Sequence, residues 1–143
     1  MWKGRVHLIK VLRKDRENMI RAGIIGATGY AGAEILRILA VHPNVEVKWI
    51  GSRSYADQEI ASVYGNLFHV VDLSLINDDT EQMKKEILKL ADEVDVIFTA
   101  TPQGACAGLV SRELLEKVKI IDMSADFRLK DVSVYEAWYK IHH

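Results

Sequence analysis

The sequence is poor in the residues that would define several classes of protein. It has one cysteine, Cys106, in 143 residues, which excludes an internal disulfide framework and any multi-cysteine zinc or iron–sulfur site. No apolar run reaches the roughly 18 to 20 residues of a membrane span, and no hydrophobic signal core follows Met1. With 19 Lys and Arg against 20 Asp and Glu, no overall basic charge favours nucleic acid or an anionic membrane. We therefore expect a cytoplasmic globular protein.

The near-zero net charge conceals a basic amino-terminal segment. Residues 1–18 carry six Lys and Arg against two acids, a charge of +4, which leaves −5 for the rest of the chain. A transit peptide should be rich in Ser and poor in acids, and this segment has no Ser. A nucleic-acid or membrane arm and a packed strand or helix remain open. We expect an extension unrelated to catalysis, followed by one domain over residues 19–143.

Short apolar runs alternate with stretches of helical period beyond Met19. Strands are expected at residues 22–25, 45–50, within 67–76, at 94–100 and at 119–123. The predicted first helix has its apolar face at Ala31, Ile35, Ile38 and Leu39. Asp79 or Thr80 can cap a later helix, and a single helix is expected over residues 107–118. The alternation predicts a doubly wound, mostly parallel, Rossmann-type α/β sheet that helices cover on both faces.

A glycine-rich run separates the first predicted strand from the first predicted helix. Residues 26–32 read Gly-Ala-Thr-Gly-Tyr-Ala-Gly. Glycines at this place let the backbone approach a pyrophosphate, and the start of the following helix attracts its charge. The alternative is a turn selected for packing alone. We expect dinucleotide contacts at Gly26, Thr28, Gly29, Tyr30, Ala31 and Gly32.

The tip of the second predicted strand favours NADP over NAD. Domains that select NAD usually place an acid there to bind the ribose 2′-hydroxyl, whereas this chain has Ser52, Arg53 and Ser54. The arginine can pair with a 2′-phosphate, assisted by the hydroxyls. The alternative is a solvated loop arginine.

One further segment follows the fourth predicted strand, at the edge where such sheets bind ligands. It is a Thr-Pro-Gln-Gly turn that contains Thr101, Pro102 and Gly104. The turn can form a wall for the nicotinamide or only shape the chain. Cys106 has no base next to it in sequence, so we expect a packed residue rather than a nucleophile.

Residues 122–128 read Asp-Met-Ser-Ala-Asp-Phe-Arg. Ionic contacts among Asp126, Arg128 and Asp131 could hold this loop, or Ser124 and Arg128 could face an anionic substrate. No metal site is expected from the two terminal histidines.

Together these segments resemble N-acetyl-gamma-glutamyl-phosphate reductases of the semialdehyde dehydrogenase superfamily. The resemblance covers residues 19–143 and rests on residues 26–34, 101–104, 122–131 and 135–139. Aspartate-semialdehyde dehydrogenases share the glycine run but not the Ser-Ala-Asp-Phe-Arg segment. The resemblance implies that NADPH reduces an acyl phosphate of N-acetylglutamate to the semialdehyde, in arginine biosynthesis. The resemblance also implies a cysteine thiolate that expels phosphate and a histidine that serves as acid and base.

The sequence departs from this family at its catalytic residues. The family's nucleophile lies in an Asn-Pro-Gly-Cys-Tyr-Pro-like segment, downstream of the region matched by residues 135–139. Cys106 does not match that motif. We therefore expect a cofactor domain that binds NADP(H) without reducing substrate and can form a homo-oligomer. The alternatives are a stand-alone NADP-sensing module, the cofactor domain of another acyl-phosphate reductase, and a non-nucleotide interaction domain.

Overall fold

The computed structural model describes residues 18–143, so the expected basic extension lies almost wholly outside the described residues. The strands are, in chain order, β1 (Ile20–Ile25), β2 (Val45–Gly51), β3 (Leu75–Ile76), β4 (Val96–Thr99) and β5 (Lys119–Asp122). They form one parallel sheet in the order β3-β2-β1-β4-β5. Because the chain leaves β1 toward one edge and later returns on its other side, a crevice opens at the carboxyl ends of β1 and β4. This confirms the predicted Rossmann-type fold.

The helices connect these strands. They are α1 (Tyr30–Ala40), α2 (Ile60–Val63), α3 (Thr80–Ala91), α4 (Ala105–Leu109), α5 (Arg112–Lys117) and α6 (Val132–Tyr139), with a 3-10 helix at Gly65–Leu67. Asp79 caps α3 as expected, because its carboxylate accepts a hydrogen bond from the Glu81 backbone N–H. None of the helices among residues 18–143 combines the length and apolar character that crossing a membrane requires.

Two local predictions were wrong in detail. The buried face of α1 is formed by Gly32, Leu36 and Ala40. Of the predicted face, Ile35 and Leu39 pack partly against this core, whereas Ala31 is exposed and Ile38 is 49% exposed. The helix is rotated because Gly32 packs directly against the turn that precedes it. The helix expected over residues 107–118 is two helices, since the Ser111 side chain accepts from the Leu114 N–H and starts α5 anew.

The core lies on both faces of the sheet. On one face, Ile25 and Ile97 pack with side chains of α3, α4 and α5. On the other, Ile24 and Ile50 pack with α1 and α2. Burying each such side chain contributes about 1.5 to 3 kcal/mol, so these clusters position the strand ends that form the site.

The second face is less covered over β4 and β5 than the sequence predicts. Phe98 is partly buried and Ile121 is 45% exposed, and both border an apolar cavity of about 360 Å³. The expected cover on both faces is therefore incomplete over β4 and β5 within the described residues.

Candidate cofactor-binding groove

A groove of about 330 Å³ opens at the carboxyl ends of β1, β2, β3 and β4. It brings together eight of the side chains or glycines that the sequence predicts for cofactor binding. These are Gly26, Thr28, Gly29, Ser52, Arg53, Ser54, Thr101 and Pro102. Asp78, Asp79, Thr80, Ala100 and Ala105 complete the lining.

The glycine run makes close backbone packing possible at the start of this groove. Gly26 has φ of +79°, and a Cβ there would lie 2.4 Å from the carbonyl oxygen of Ala100. A Cβ on Gly32 would lie 1.9 Å from the carbonyl oxygen of Gly26. Side chains at either position are therefore excluded, and α1 starts directly against the end of β1. Gly32 does not line the groove; it packs against the backbone of Gly26.

The amino terminus of α1 is open to a ligand. Its cap residue is Gly29, so no side chain accepts from the first N–H groups of the helix. These N–H groups have no partner within a helix and carry the positive end of its dipole, which favours phosphate. Tyr30 is 98% exposed and Ala31 is exposed; both lie in the first turn but outside the groove lining.

The tip of β2 is tied to the glycine run by hydroxyl groups. The Oγ atoms of Thr28 and Ser52 are 2.7 Å apart, and the Tyr64 hydroxyl donates to the Thr28 carbonyl at 2.7 Å. Ser52 is buried, whereas Arg53 and Ser54 are exposed in the groove. The arginine and the second serine are therefore the groups at this tip that can reach a ligand.

Asp78 lies in the groove although nothing in the sequence pattern marked it. It follows β3, and its Oδ2 accepts a hydrogen bond of 2.6 Å from the Gly26 backbone N–H. Burial raises the pKa of this carboxyl, partly opposed by the Gly26 bond and by the charge of Arg53. The strand order brings these two residues to the same edge of the sheet although they are 52 positions apart.

The turn after β4 contributes an unpaired hydroxyl. Thr101 Oγ1 is buried and has no hydrogen-bond partner among residues 18–143, yet Thr101 lines the groove. Such a group is costly to leave unpaired, by about 1 to 3 kcal/mol. Gly104, outside the lining, ends the turn with φ of +87°, a value that favours glycine.

Asp126 joins this turn to the loop after β5. Its buried carboxylate accepts from the N–H groups of Gly104 (2.7 Å) and Ala107 (3.0 Å) and from the Tyr135 hydroxyl (2.8 Å). Burial alone would raise the pKa of Asp126, but these hydrogen bonds outweigh it and lower the pKa. Burial and the same carboxylate raise the pKa of Tyr135 to about 12.

Ser124 and Arg128 lie beside a second cavity, of about 450 Å³, next to β5. The Ser124 hydroxyl donates to Asp122 at 2.7 Å, and Arg128 donates to the Ser124 carbonyl at 3.1 Å. Asp131 instead accepts from Ser133. The loop is thus held by hydrogen bonds, and no ion pair among the three charged residues named from sequence occurs in the described chain.

Cys106 is packed as expected. It is fully buried as the second residue of α4, and burial raises the pKa of its thiol to about 11. A thiol in that state is a poor nucleophile at neutral pH. Within residues 18–143, no group of three or more His, Cys, Asp or Glu side chains is arranged to hold a metal ion.

Comparison with known proteins agrees with this geometry. A family model described as the NAD binding domain of semialdehyde dehydrogenase matches residues 21–139. The chain belongs to this family.

Relatives of this semialdehyde dehydrogenase domain include two N-acetyl-gamma-glutamyl-phosphate reductases. The protein of Lachnospira eligens is 60% identical over 125 residues, and that of Lachnoclostridium phytofermentans is 51% identical over 125 residues. Each match covers 87% of this chain and 34% of the relative. The chain therefore spans about a third of the length of the relatives that it matches.

The solved structure of aspartate semialdehyde dehydrogenase with NADP from Candida albicans has the same fold. It superposes with a TM-score of 0.51 at 16% identity, over 80% of this chain and 32% of that chain. This likeness supports the Rossmann-type fold.

The groove fits the nicotinamide dinucleotide that the family implies. The uncapped start of α1 can hold the pyrophosphate, and the glycine run leaves no side chain in its way. The Thr101 hydroxyl offers a hydrogen bond that no other group among residues 18–143 takes up.

The Asp126 junction predicts a specific loss of stability. Asp126→Asn should lower the free energy of unfolding at neutral pH by about 3 kcal/mol, because one amide oxygen cannot replace a carboxylate that accepts three bonds. Since folding lowers the pKa of Asp126, its contribution is present above the ordinary pKa and is lost as the pH falls through the folded value.

Urea unfolding at neutral pH and near pH 3 measures both effects. The difference between wild type and Asp126→Asn should shrink at the lower pH. Asp72→Asn, which makes the same change at an exposed residue, is the control and should behave like wild type. Equal effects of the two substitutions would contradict the assignment.

Proposed function

We propose that this chain is the NADP-binding domain of an oxidoreductase that reduces N-acetyl-gamma-glutamyl phosphate to the semialdehyde with NADPH, in arginine biosynthesis. The groove carries the cofactor part of this proposal, because Gly29 at the start of α1 and Arg53 line the same cavity. The substrate part is supported by the 60% identical relative.

Each side of the groove has its own task in binding. The first turn of α1 holds the pyrophosphate, Arg53 pairs with the 2′-phosphate, and Thr101 donates its hydroxyl to the cofactor. Asp126 keeps the turn after β4 in place through Gly104. When bound, the dinucleotide supplies a hydride to the carbonyl carbon of the substrate.

The loop after β5 faces the substrate side in this proposal. The Arg128 guanidinium donates hydrogen bonds to the backbone carbonyls of Met123 and Ser124. Arginine has five N–H donors, so donors remain for an anionic group in the cavity that Ser124 also lines. The catalytic thiolate has to come from elsewhere in the parent protein, because the Cys106 thiol is buried with a raised pKa.

We also propose a cytoplasmic location and self-association. A lone, buried and unpaired cysteine suits a reducing compartment. Trp138 is 78% exposed at the end of α6, and the apolar cavity beside Ile121 is open. Exposed apolar surface of this kind supports an interface with a second copy or with other parts of the parent.

The cofactor assignment predicts a preference for NADPH that depends on Arg53. Isothermal titration of the 143-residue chain should show tighter binding of NADPH than of NADH. Arg53→Ala should weaken NADPH binding roughly ten- to hundred-fold and leave NADH binding nearly unchanged, because only NADPH presents the 2′-phosphate.

Arg112→Ala is the matched control, since it removes the same charge from the exposed start of α5. Equal affinity for both cofactors, unchanged in Arg53→Ala, would refute the 2′-phosphate assignment. Binding of neither cofactor would refute the cofactor domain itself.

Thr101→Val predicts opposite effects on stability and binding. The substitution removes a hydroxyl that has no partner, so the free energy of unfolding without cofactor should stay equal or rise. Affinity for NADPH should fall about ten-fold with the loss of one hydrogen bond. Calorimetric titration and urea unfolding measure the two quantities.

Thr99→Val is the control for this experiment. Its hydroxyl donates to Asp122 at 2.8 Å, so the variant should lose stability instead. Unchanged NADPH affinity in Thr101→Val would contradict the role of this hydroxyl.

If the parent protein is the proposed reductase, both a sequence motif and a substrate preference follow. The coding region downstream of residue 143 should encode a Gly-Cys-Tyr-Pro segment, and the full protein should reduce N-acetyl-gamma-glutamyl phosphate at least about 100-fold faster than aspartyl phosphate. A discrimination of this size follows when buried polar groups recognise the substrate. Preference for aspartyl phosphate would favour the aspartate-semialdehyde alternative, and a parent without reductase activity would favour an NADP-sensing module.

A further inference from the structure

Asp78 lies beside the end of β2, the place where domains that bind NAD carry the acid that recognises the ribose. Ser52 N–H donates to the Ile76 carbonyl at 2.9 Å, so the end of β3 lies beside the tip of β2. From there the Asp78 side chain reaches the glycine run and accepts from Gly26 N–H.

The tip of β2 is shaped to let this side chain pass. A Cβ on Gly51 would lie 2.7 Å from the Cβ and 2.9 Å from Oδ2 of Asp78. In domains that bind NAD, an acid at the end of β2 accepts a hydrogen bond from the ribose 2′-hydroxyl. Here β2 ends without an acid, and a carboxylate from β3 crosses the same place.

The groove therefore contains groups that favour opposite cofactors. A carboxylate accepts from a 2′-hydroxyl and repels a 2′-phosphate, whereas Arg53 attracts the phosphate. The two side chains interact electrostatically with each other. The neighbouring acid, Asp79, already accepts from Glu81 N–H at the start of α3, which leaves Asp78 as the acid placed against the glycine run.

We propose that Asp78 is a specificity-determining residue of the cofactor groove, whose carboxylate reduces the preference for a 2′-phosphate that Arg53 provides. This inference rests on the proposed function, because it concerns how the same groove selects its dinucleotide. Two effects of the residue can be separated. The oxygen that accepts from Gly26 N–H positions the loop for both cofactors, and the negative charge distinguishes between them.

The experiment compares wild type, Asp78→Asn and Asp78→Ala by titration with NADPH and NADH. Asparagine keeps an oxygen acceptor for Gly26 N–H and removes the charge, so the ratio of the NADH to the NADPH dissociation constant should rise roughly ten-fold. Alanine removes the acceptor as well and should weaken binding of both cofactors relative to Asp78→Asn.

Asp72→Asn is the matched control, because it makes the same charge change at an exposed residue outside the groove lining, and its ratio should equal that of wild type. An unchanged or lowered ratio in a folded Asp78→Asn protein, checked by thermal melting, overturns the inference. If Asp78→Asn does not fold, Asp78→Ser removes the charge with a smaller side chain. If neither Asp78→Asn nor Asp78→Ser folds, Asp78 has a purely structural role, and this result also overturns the inference.

The outcome is distinct from a failure of the proposed function. If wild type binds neither cofactor, the cofactor domain itself is refuted, and this inference with it. If wild type binds NADPH and the ratio does not respond to Asp78→Asn, only the role of Asp78 is refuted.

Discussion

The candidate site depends on the packing around Gly26, where the chain leaves β1. The positive φ of this residue turns the backbone toward the carbonyl of Ala100, and its own carbonyl contacts Gly32 in α1. Its N–H is held by Asp78 from β3. One residue without a side chain thus connects the ends of β1, β3 and β4 with the start of the first helix. A larger residue would separate the elements that form the groove.

A second junction, at Asp126, connects the groove to the side of the sheet that carries β5. A buried carboxylate is costly unless its oxygens are satisfied, and here the backbone N–H groups of Gly104 and Ala107 and the hydroxyl of Tyr135 satisfy it. The turn that borders the groove and the loop beside the second cavity therefore form one hydrogen-bonded unit.

Regular, long-period features were predictable from the sequence, and short or irregular ones were not. The positions of β1, β2, β4 and β5 follow from their apolar runs, since a buried parallel strand needs apolar side chains on both faces. Between β2 and β4 the sequence predicts a strand within residues 67–76 and a later helix, whereas the segment after β2 also contains α2 and a 3-10 helix, and β3 has only two residues. Elements of this length form because of tertiary contacts such as the burial of Ile60 and Leu67. Their sequences are too short to show a periodicity from which they could be predicted.

The site shows the same division. By itself the sequence determined the order of strands and helices, the glycine run and the arginine at the tip of β2, because each is a local pattern with a local physical cause. The tertiary structure decided that Asp78 reaches Gly26, that Thr101 is left with an unpaired hydroxyl, and that Asp126 satisfies two loops. The Asp78–Gly26 and Asp126–Gly104 bonds join residues 52 and 22 positions apart. They exist because parallel strands bring their carboxyl ends to the same edge of the sheet.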